Sequence, residues 1–202
     1  MRDPYLFENV DVLRNKLGIL DAKNLTEAEA NITYIRFLDI DKAFEAAPFD
    51  FKRLCGIHAY IFGDIFDWAG KIRTIPMVKG ERVLGGDTVR YSHPDSIKTD
   101  ANKIINKLIY IDWAQLNTAQ TAETFAELIA TLWQVHPFRE GNTRTTITFA
   151  TQFAVAYGFA MDKDFLRESA AYVRDALVKA SDGKYSDYSY LSKIFKDAIL
   201  RG

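Results

Sequence analysis

Apolar residues recur at helical spacing along almost the whole chain. Ala101, Ile104, Ile105, Leu108 and Ile109 fall at i, i+3, i+4, i+7 and i+8, and Phe125, Leu128, Ile129, Leu132 and Trp133 repeat the pattern. Only a helix brings such positions onto one face, so each segment must bury an apolar stripe against a neighbour. Asn24 and Thr26 offer cap chemistry for a helix reaching about Ala46. Leu54, His58, Ile61 and Phe62 mark a second over 51–62, with Gly63 as its stop. The longest uncharged run, 145–161, holds four threonines and a glutamine. It is too short and polar to span a bilayer and reads as a helix buried on most sides. Two more helices are expected near 165–180 and 186–200, parted by Ser181-Asp182-Gly183.

One stretch departs from this periodicity. Between Ile72 and Tyr91 apolar residues alternate briefly, punctuated by Gly80, Gly85 and Gly86, which predicts a short β-hairpin with Pro76 on an edge strand. With no repeat, low-complexity tract or linker, residues 1–202 read as a single domain, an all-α bundle carrying a small β-hairpin flap. Hydrophobic residues at 48% and charged residues at 26% exclude a disordered chain. The 26 basic and 27 acidic residues leave a net charge of −1, which argues against a nucleic-acid partner. The lone Cys55 has no internal disulfide partner and is expected as a buried thiol in a reducing compartment. Behind Met1-Arg2-Asp3-Pro4 there is no apolar run, so neither a secretory leader nor a membrane partner is expected.

The chemistry concentrates in His136-Pro137-Phe138-Arg139-Glu140-Gly141-Asn142-Thr143-Arg144. The helix bearing Phe125–Trp133 should end at Pro137, because a residue before proline avoids the α region. His136 then leaves the core-facing side at the helix C-terminus, and Phe138 turns inward as an anchor. Gly141-Asn142 opens the buried helix, whose N-terminal amides attract an anion. Gly141 admits close backbone approach, Asn142 can cap the helix or donate to a phosphate oxygen, and Arg144 adds a cation. Glu140 alone would repel phosphate, but bridged by Mg²⁺ it would hold it. His136 is a base titrating near neutrality. Each residue alone has an ordinary structural reading: a helix-end histidine, a dipole-complementing acid, a surface-paired arginine. The ordered string is far more specific and suits transfer of a phosphate-containing group to a hydroxyl. Elsewhere the signals are poor. Gly80 to Gly86 has P-loop glycine spacing without the lysine, and His58, His93 and Cys55 lack zinc-ligand spacing.

The string resembles the core motif of the Fic (filamentation-induced-by-cAMP) family, His-x-Phe-x-(Asp/Glu)-Gly-Asn-x-Arg, at every specified position. Asp3-Pro4-Tyr5-Leu6 and the segment 13–19 are similar to the opening of bacterial Fic toxins, and 66–74 resembles the lead into the family's target-docking flap. The resemblance implies a Fic-type helical bundle that transfers AMP from ATP to a Tyr, Ser or Thr hydroxyl of a target protein, releasing pyrophosphate. It makes His136 the general base and Glu140 the Mg²⁺ ligand. It places Gly141, Asn142, Thr143 and Arg144 around the triphosphate. Ile75, Pro76, Met77, Val78 and Lys79 become a flap that docks the target by strand addition. A cytoplasmic protein follows, or one delivered to another cell if it forms part of an effector.

Two positions depart from the longer motif, Gly-Asn-Gly-Arg-x-x-Arg. Thr143 replaces the third small residue, and Ile147 stands where a second arginine would be. A different nucleotide donor, kinase-type transfer, or a non-catalytic binding module on the same scaffold are the alternatives this raises. The family's inhibitory motif, (Ser/Thr)-x-x-x-Glu-(Gly/Asn), has no intact copy: Thr26 to Asn31 and Pro4 to Asn9 are near misses. Control by a separate, small antitoxin-like protein is the expectation that follows.

Overall fold

The computed structural model describes residues 2–200 and contains eight α-helices among them: α1 (Ala22–Phe44), α2 (Phe51–Phe62), α3 (Ile97–Tyr110), α4 (Thr118–Val135), α5 (Asn142–Ala156), α6 (Lys163–Glu168), α7 (Ala170–Lys179) and α8 (Ser189–Ala198). α5 runs through the centre, packed against α2 and α4, while α1 covers α2, and α3 and α8 cover α4. A helix with so many threonines can be buried because its hydroxyls find partners within the helix. Thr145 and Thr148 donate to the carbonyls of Gly141 and Arg144 at 3.0 and 2.8 Å, and Thr151 donates to that of Thr148 at 3.1 Å. The Gln152 Oε1 atom accepts from the Nε and a terminal nitrogen of buried Arg53 of α2 at 3.2 and 2.9 Å. Beside it, Trp113, Phe125, Phe153, Phe159 and Phe195 pack edge-on, tilted or stacked as an aromatic core. No helix among the described residues is long and apolar enough to cross a membrane.

The helical expectations hold in outline and differ at ends. α1 begins earlier than Asn24 or Thr26, because the Asp21 carboxylate caps it by accepting from the Asn24 amide at 2.8 Å. The helix expected over 165–180 is two helices. At Ser169 the backbone leaves the α region (φ −89°, ψ 11°), and serine competes for its own neighbours' backbone groups, which weakens a helix interior.

The expected β-hairpin does not form its strands. Residues 74–92 are an irregular flap with one 3₁₀ turn at Arg82–Leu84. Its two legs face each other through the Glu81 amide donating to the Asp87 carbonyl at 2.8 Å and the Lys79 amide donating to Thr88 Oγ1 at 3.1 Å. Pro76 removes a ladder donor, glycines weaken both legs, and a two-stranded ribbon without a third strand is marginal in water. The amino-terminal segment ties this flap to the bundle. The Thr74 amide donates to the hydroxyl of buried Tyr5 at 3.0 Å, and Asp3 pairs with Arg139 at 2.8 Å.

Candidate active site

α4 ends as expected before Pro137, and the manner of its ending creates the site. His136 caps the helix in the left-handed region (φ 51°, ψ 60°), where it is the one non-glycine residue with positive φ among those described. Such a conformation is costly for a residue with a Cβ and persists only where the surroundings enforce it. Arg73 enforces it. Its buried guanidinium donates from Nε to the His136 carbonyl at 2.8 Å, and from its terminal nitrogens to Ile75 at 2.6 Å and to Ser92, while its amide donates to Pro137 at 2.9 Å. The imidazole lies against the Tyr91 ring (4.1 Å between centroids) and meets Trp133 edge-on. Only 3% of His136 is exposed, and neither ring nitrogen has a hydrogen-bond partner among the described residues. Burial, then the charges of Lys79 and Arg73, push its pKa well below the ordinary histidine value, so it is neutral at pH 7.

The loop from Phe138 to Gly141 is held from below. The Asn142 side chain accepts from the Phe138 amide at 2.9 Å and donates to the Phe138 carbonyl at 2.8 Å. Its amide group therefore closes the loop. His58 of α2 stacks on Phe138 at 3.9 Å and accepts at Nδ1 from the Gly70 amide at 2.8 Å. That bond fixes the tautomer, so Nε2 donates to the Glu140 carbonyl at 3.0 Å. Gly141 adopts φ 79°, and a Cβ there would lie 2.4 Å from the Phe62 ring. Only glycine lets the first turn of α5 sit so close to α2.

A cavity of about 320 Å³ opens above this floor, lined by Lys79, Trp133, His136, Glu140, residues 141–144 and Arg174. Its size is that of a small-molecule site. The Glu140 carboxylate accepts from the Gly141 amide at 3.0 Å and faces the Lys79 ammonium at 3.4 Å. Burial would raise its pKa, but Lys79, the Gly141 amide and Arg144 outweigh burial and hold it below the ordinary glutamate value. Arg144 lies over the Phe62 ring and is engaged by Glu29 of α1. Ile147 packs on the core as an aliphatic contact, so no cation occupies the next turn of α5. Among the described residues no group of three His, Cys, Asp or Glu gathers around a metal.

Seven of the expected site residues thus meet at one cavity: His136, Glu140, Gly141, Asn142, Thr143, Arg144 and Lys79. Ile75, Pro76, Met77 and Val78 lie outside its lining, on the flap leg that leads to Lys79. Thr143 accepts from the Trp133 indole N–H at 2.9 Å, so its side chain faces α4 as well as the cavity. Sequence reasoning missed Arg174 and Trp133 in the cavity lining, Tyr91 against the His136 ring, His58 and Arg73 beneath, and Glu29 against Arg144. Only His58 left a signal, as a histidine on an otherwise apolar helical face.

Residues 48–154 match the family model described as the Fic/DOC family. The chain belongs to this family. "Probable protein adenylyltransferase y4lH" of Sinorhizobium fredii is 30% identical over 91% of this chain and 90% of its own length. "Protein adenylyltransferase VbhT" of Bartonella schoenbuchensis is 31% identical over 80% of this chain, which spans only 33% of that longer relative. Among solved structures, the N-terminal Fic domain of a Bartonella quintana VirB-translocated Bep effector protein with bound ADP superposes with a TM-score of 0.79. It is 25% identical, and the match covers 98% of this chain and 94% of that one. The fold of BepC from Bartonella tribocorum, a structure with bound AMPPNP, is similar at a TM-score of 0.77 and 24% identity, over 98% of this chain and 97% of that one. The likeness in fold to these Fic structures thus extends over 98% of the chain, beyond the residues 48–154 that the family model matches.

Proposed function

We propose that this Fic/DOC chain is a protein adenylyltransferase, which moves AMP from ATP to a hydroxyl side chain of a target protein. The observation that carries the reading is the buried His136 imidazole, its ring nitrogens without a hydrogen-bond partner among the described residues, in the lining of the cavity shared with Glu140 and the first turn of α5. The relatives named as protein adenylyltransferases support it.

In this reading the backbone N–H groups of residues 142–144 and the Arg144 guanidinium receive the phosphates, because the N–H groups of a first helical turn have no preceding carbonyl within the helix to donate to. His136 takes the proton of the target hydroxyl as its oxygen bonds to the α-phosphorus. The bond from that phosphorus to the bridging oxygen breaks, and pyrophosphate leaves with that oxygen. The pKa of His136 suits the first moment of this step, since the ring arrives unprotonated. Glu140 suits Mg²⁺ entering with the triphosphate, because one carboxylate plus substrate phosphates is a usual magnesium donor set. The ion would neutralise phosphate charge, and Lys79 holds that carboxylate in its absence. The flap leg 75–79 is where a target segment would add as a strand. Among the described residues no hydrogen bond engages the backbone of Met77 or Val78, and Val78 is 80% exposed.

The test is transfer from ATP labelled at the α- or the γ-phosphate in cell lysate with magnesium. Protein labelled from the α position by the wild type, and not by His136→Ala, is the expected result. Label from the γ position alone would mean kinase-type transfer. No label from ATP, GTP or UTP would leave a binding module.

A further inference from the structure

Arg174 of α7 lines the cavity although it lies thirty residues beyond the motif. Its two terminal nitrogens donate to the two oxygens of Glu81 at 2.8 and 3.0 Å, a side-by-side pairing. Glu81 sits in the flap and is almost wholly buried, with 4% of its side chain exposed, whereas 40% of the Arg174 side chain is exposed. The same carboxylate accepts from the Tyr91 hydroxyl at 3.1 Å, and the Tyr91 ring is the one lying against His136. One buried acid therefore fixes both the wall of the base and the direction of a cation.

A buried acid–base pair adds little net stability, because desolvating two charges offsets their attraction. It does fix direction. A guanidinium has five N–H donors, and Glu81 occupies two of them, so the rest remain to serve the cavity. The cavity also needs a further cation. Ile147 supplies none, Arg144 is engaged by Glu29, and Lys79 by Glu140, while a nucleotide triphosphate carries several negative charges. Arg174 of α7 and Arg144 of α5 line the same cavity from different helices.

We propose that Arg174 is a phosphate-binding residue of the nucleotide site and that Glu81 is the positioning residue that aims it. The inference rests on the adenylyltransferase reading and adds to it a ligand contact contributed by α7 in place of the second motif arginine. A tie holding the flap to α7, with no part in binding, is the competing role.

Displacement of a fluorescent ATP analogue by Mg·ATP and by adenosine separates the two, with thermal unfolding to confirm that each variant is folded. Arg174→Ala should weaken Mg·ATP binding about tenfold and leave adenosine unchanged, since only a phosphate contact distinguishes them. Arg174→Lys keeps the charge without the fork and should fall between. Glu81→Gln should raise the KM for ATP severalfold with a smaller change in kcat, because the amide keeps an oxygen to accept from the Tyr91 hydroxyl while it loses the charged pairing that aims the cation. Unchanged ATP binding in Arg174→Ala, or an equal loss for adenosine, would overturn the proposal. Wild-type protein that binds no ATP at all would instead overturn the adenylyltransferase reading, and the inference with it.

Discussion

Gly141→Ala perturbs the contact on which the site's geometry depends. The residue holds φ 79°, and an added Cβ would lie 2.4 Å from two atoms of the buried Phe62 ring. The left-handed backbone costs a non-glycine residue about 1–2 kcal/mol. Forcing a methyl into a filled core costs about 1–3 kcal/mol more. The substitution should therefore lower unfolding free energy by about 2–5 kcal/mol, read from urea denaturation. The two contributions separate in a double-mutant cycle. Phe62→Leu removes the two ring atoms nearest the added carbon, so Gly141→Ala in that background should cost only the backbone share, about 1–2 kcal/mol. A cost that is the same with phenylalanine or leucine at 62, or below about 1 kcal/mol in the wild type, would refute the claim that close approach of α5 to α2 is what demands glycine.

Other substitutions test the charges. Glu29→Ala frees Arg144 for phosphate and should tighten ATP binding about two- to fivefold, more at low salt, since a partly exposed ion pair is worth up to about 1 kcal/mol; unchanged or weaker binding would contradict it. Burial holds His58 at about 4, against an unfolded value near 6.5, so the unfolded chain binds the extra proton first as pH falls. Stability should thus be full above about pH 6.5 and decline towards pH 4, by about 3 kcal/mol from this residue, and His58→Asn should flatten that slope in pH-dependent denaturation. His136 adds to the decline in the same direction. Burial pushes the Cys55 thiol up to about 11, so an aromatic disulfide reagent at pH 8 should react slowly with the folded protein and rapidly once urea is added.

The sequence made legible whatever is encoded locally. The stripe of α2 and the chemistry of Gly141-Asn142 place α2 and the start of α5 at their observed residues, and the His136 to Arg144 string assembles at one cavity. Features that depend on distant partners were not legible. Asp21 rather than Asn24 caps α1, a choice among neighbouring polar residues that packing decides. The Asn142 side chain, read as a helix cap or a phosphate donor, bonds both backbone groups of Phe138. The alternation after Ile72 promised strands, but alternation alone cannot supply the third strand that a ribbon needs. Arg174 meets Glu81 across 93 positions, and Glu29 meets Arg144 across 115, distances over which no periodicity signals contact.

The central claim, that His136 and the opening turn of α5 serve one nucleotide, is tested most directly by a crystal structure of the protein soaked with a non-hydrolysable ATP analogue and magnesium. The phosphates should rest on the amides of residues 142–144, with the α-phosphorus facing the His136 ring across a gap that one hydroxyl oxygen can fill. A nucleotide seated elsewhere, such as the groove between α4 and α8, or one whose α-phosphate lies beyond reach of that ring, would contradict it.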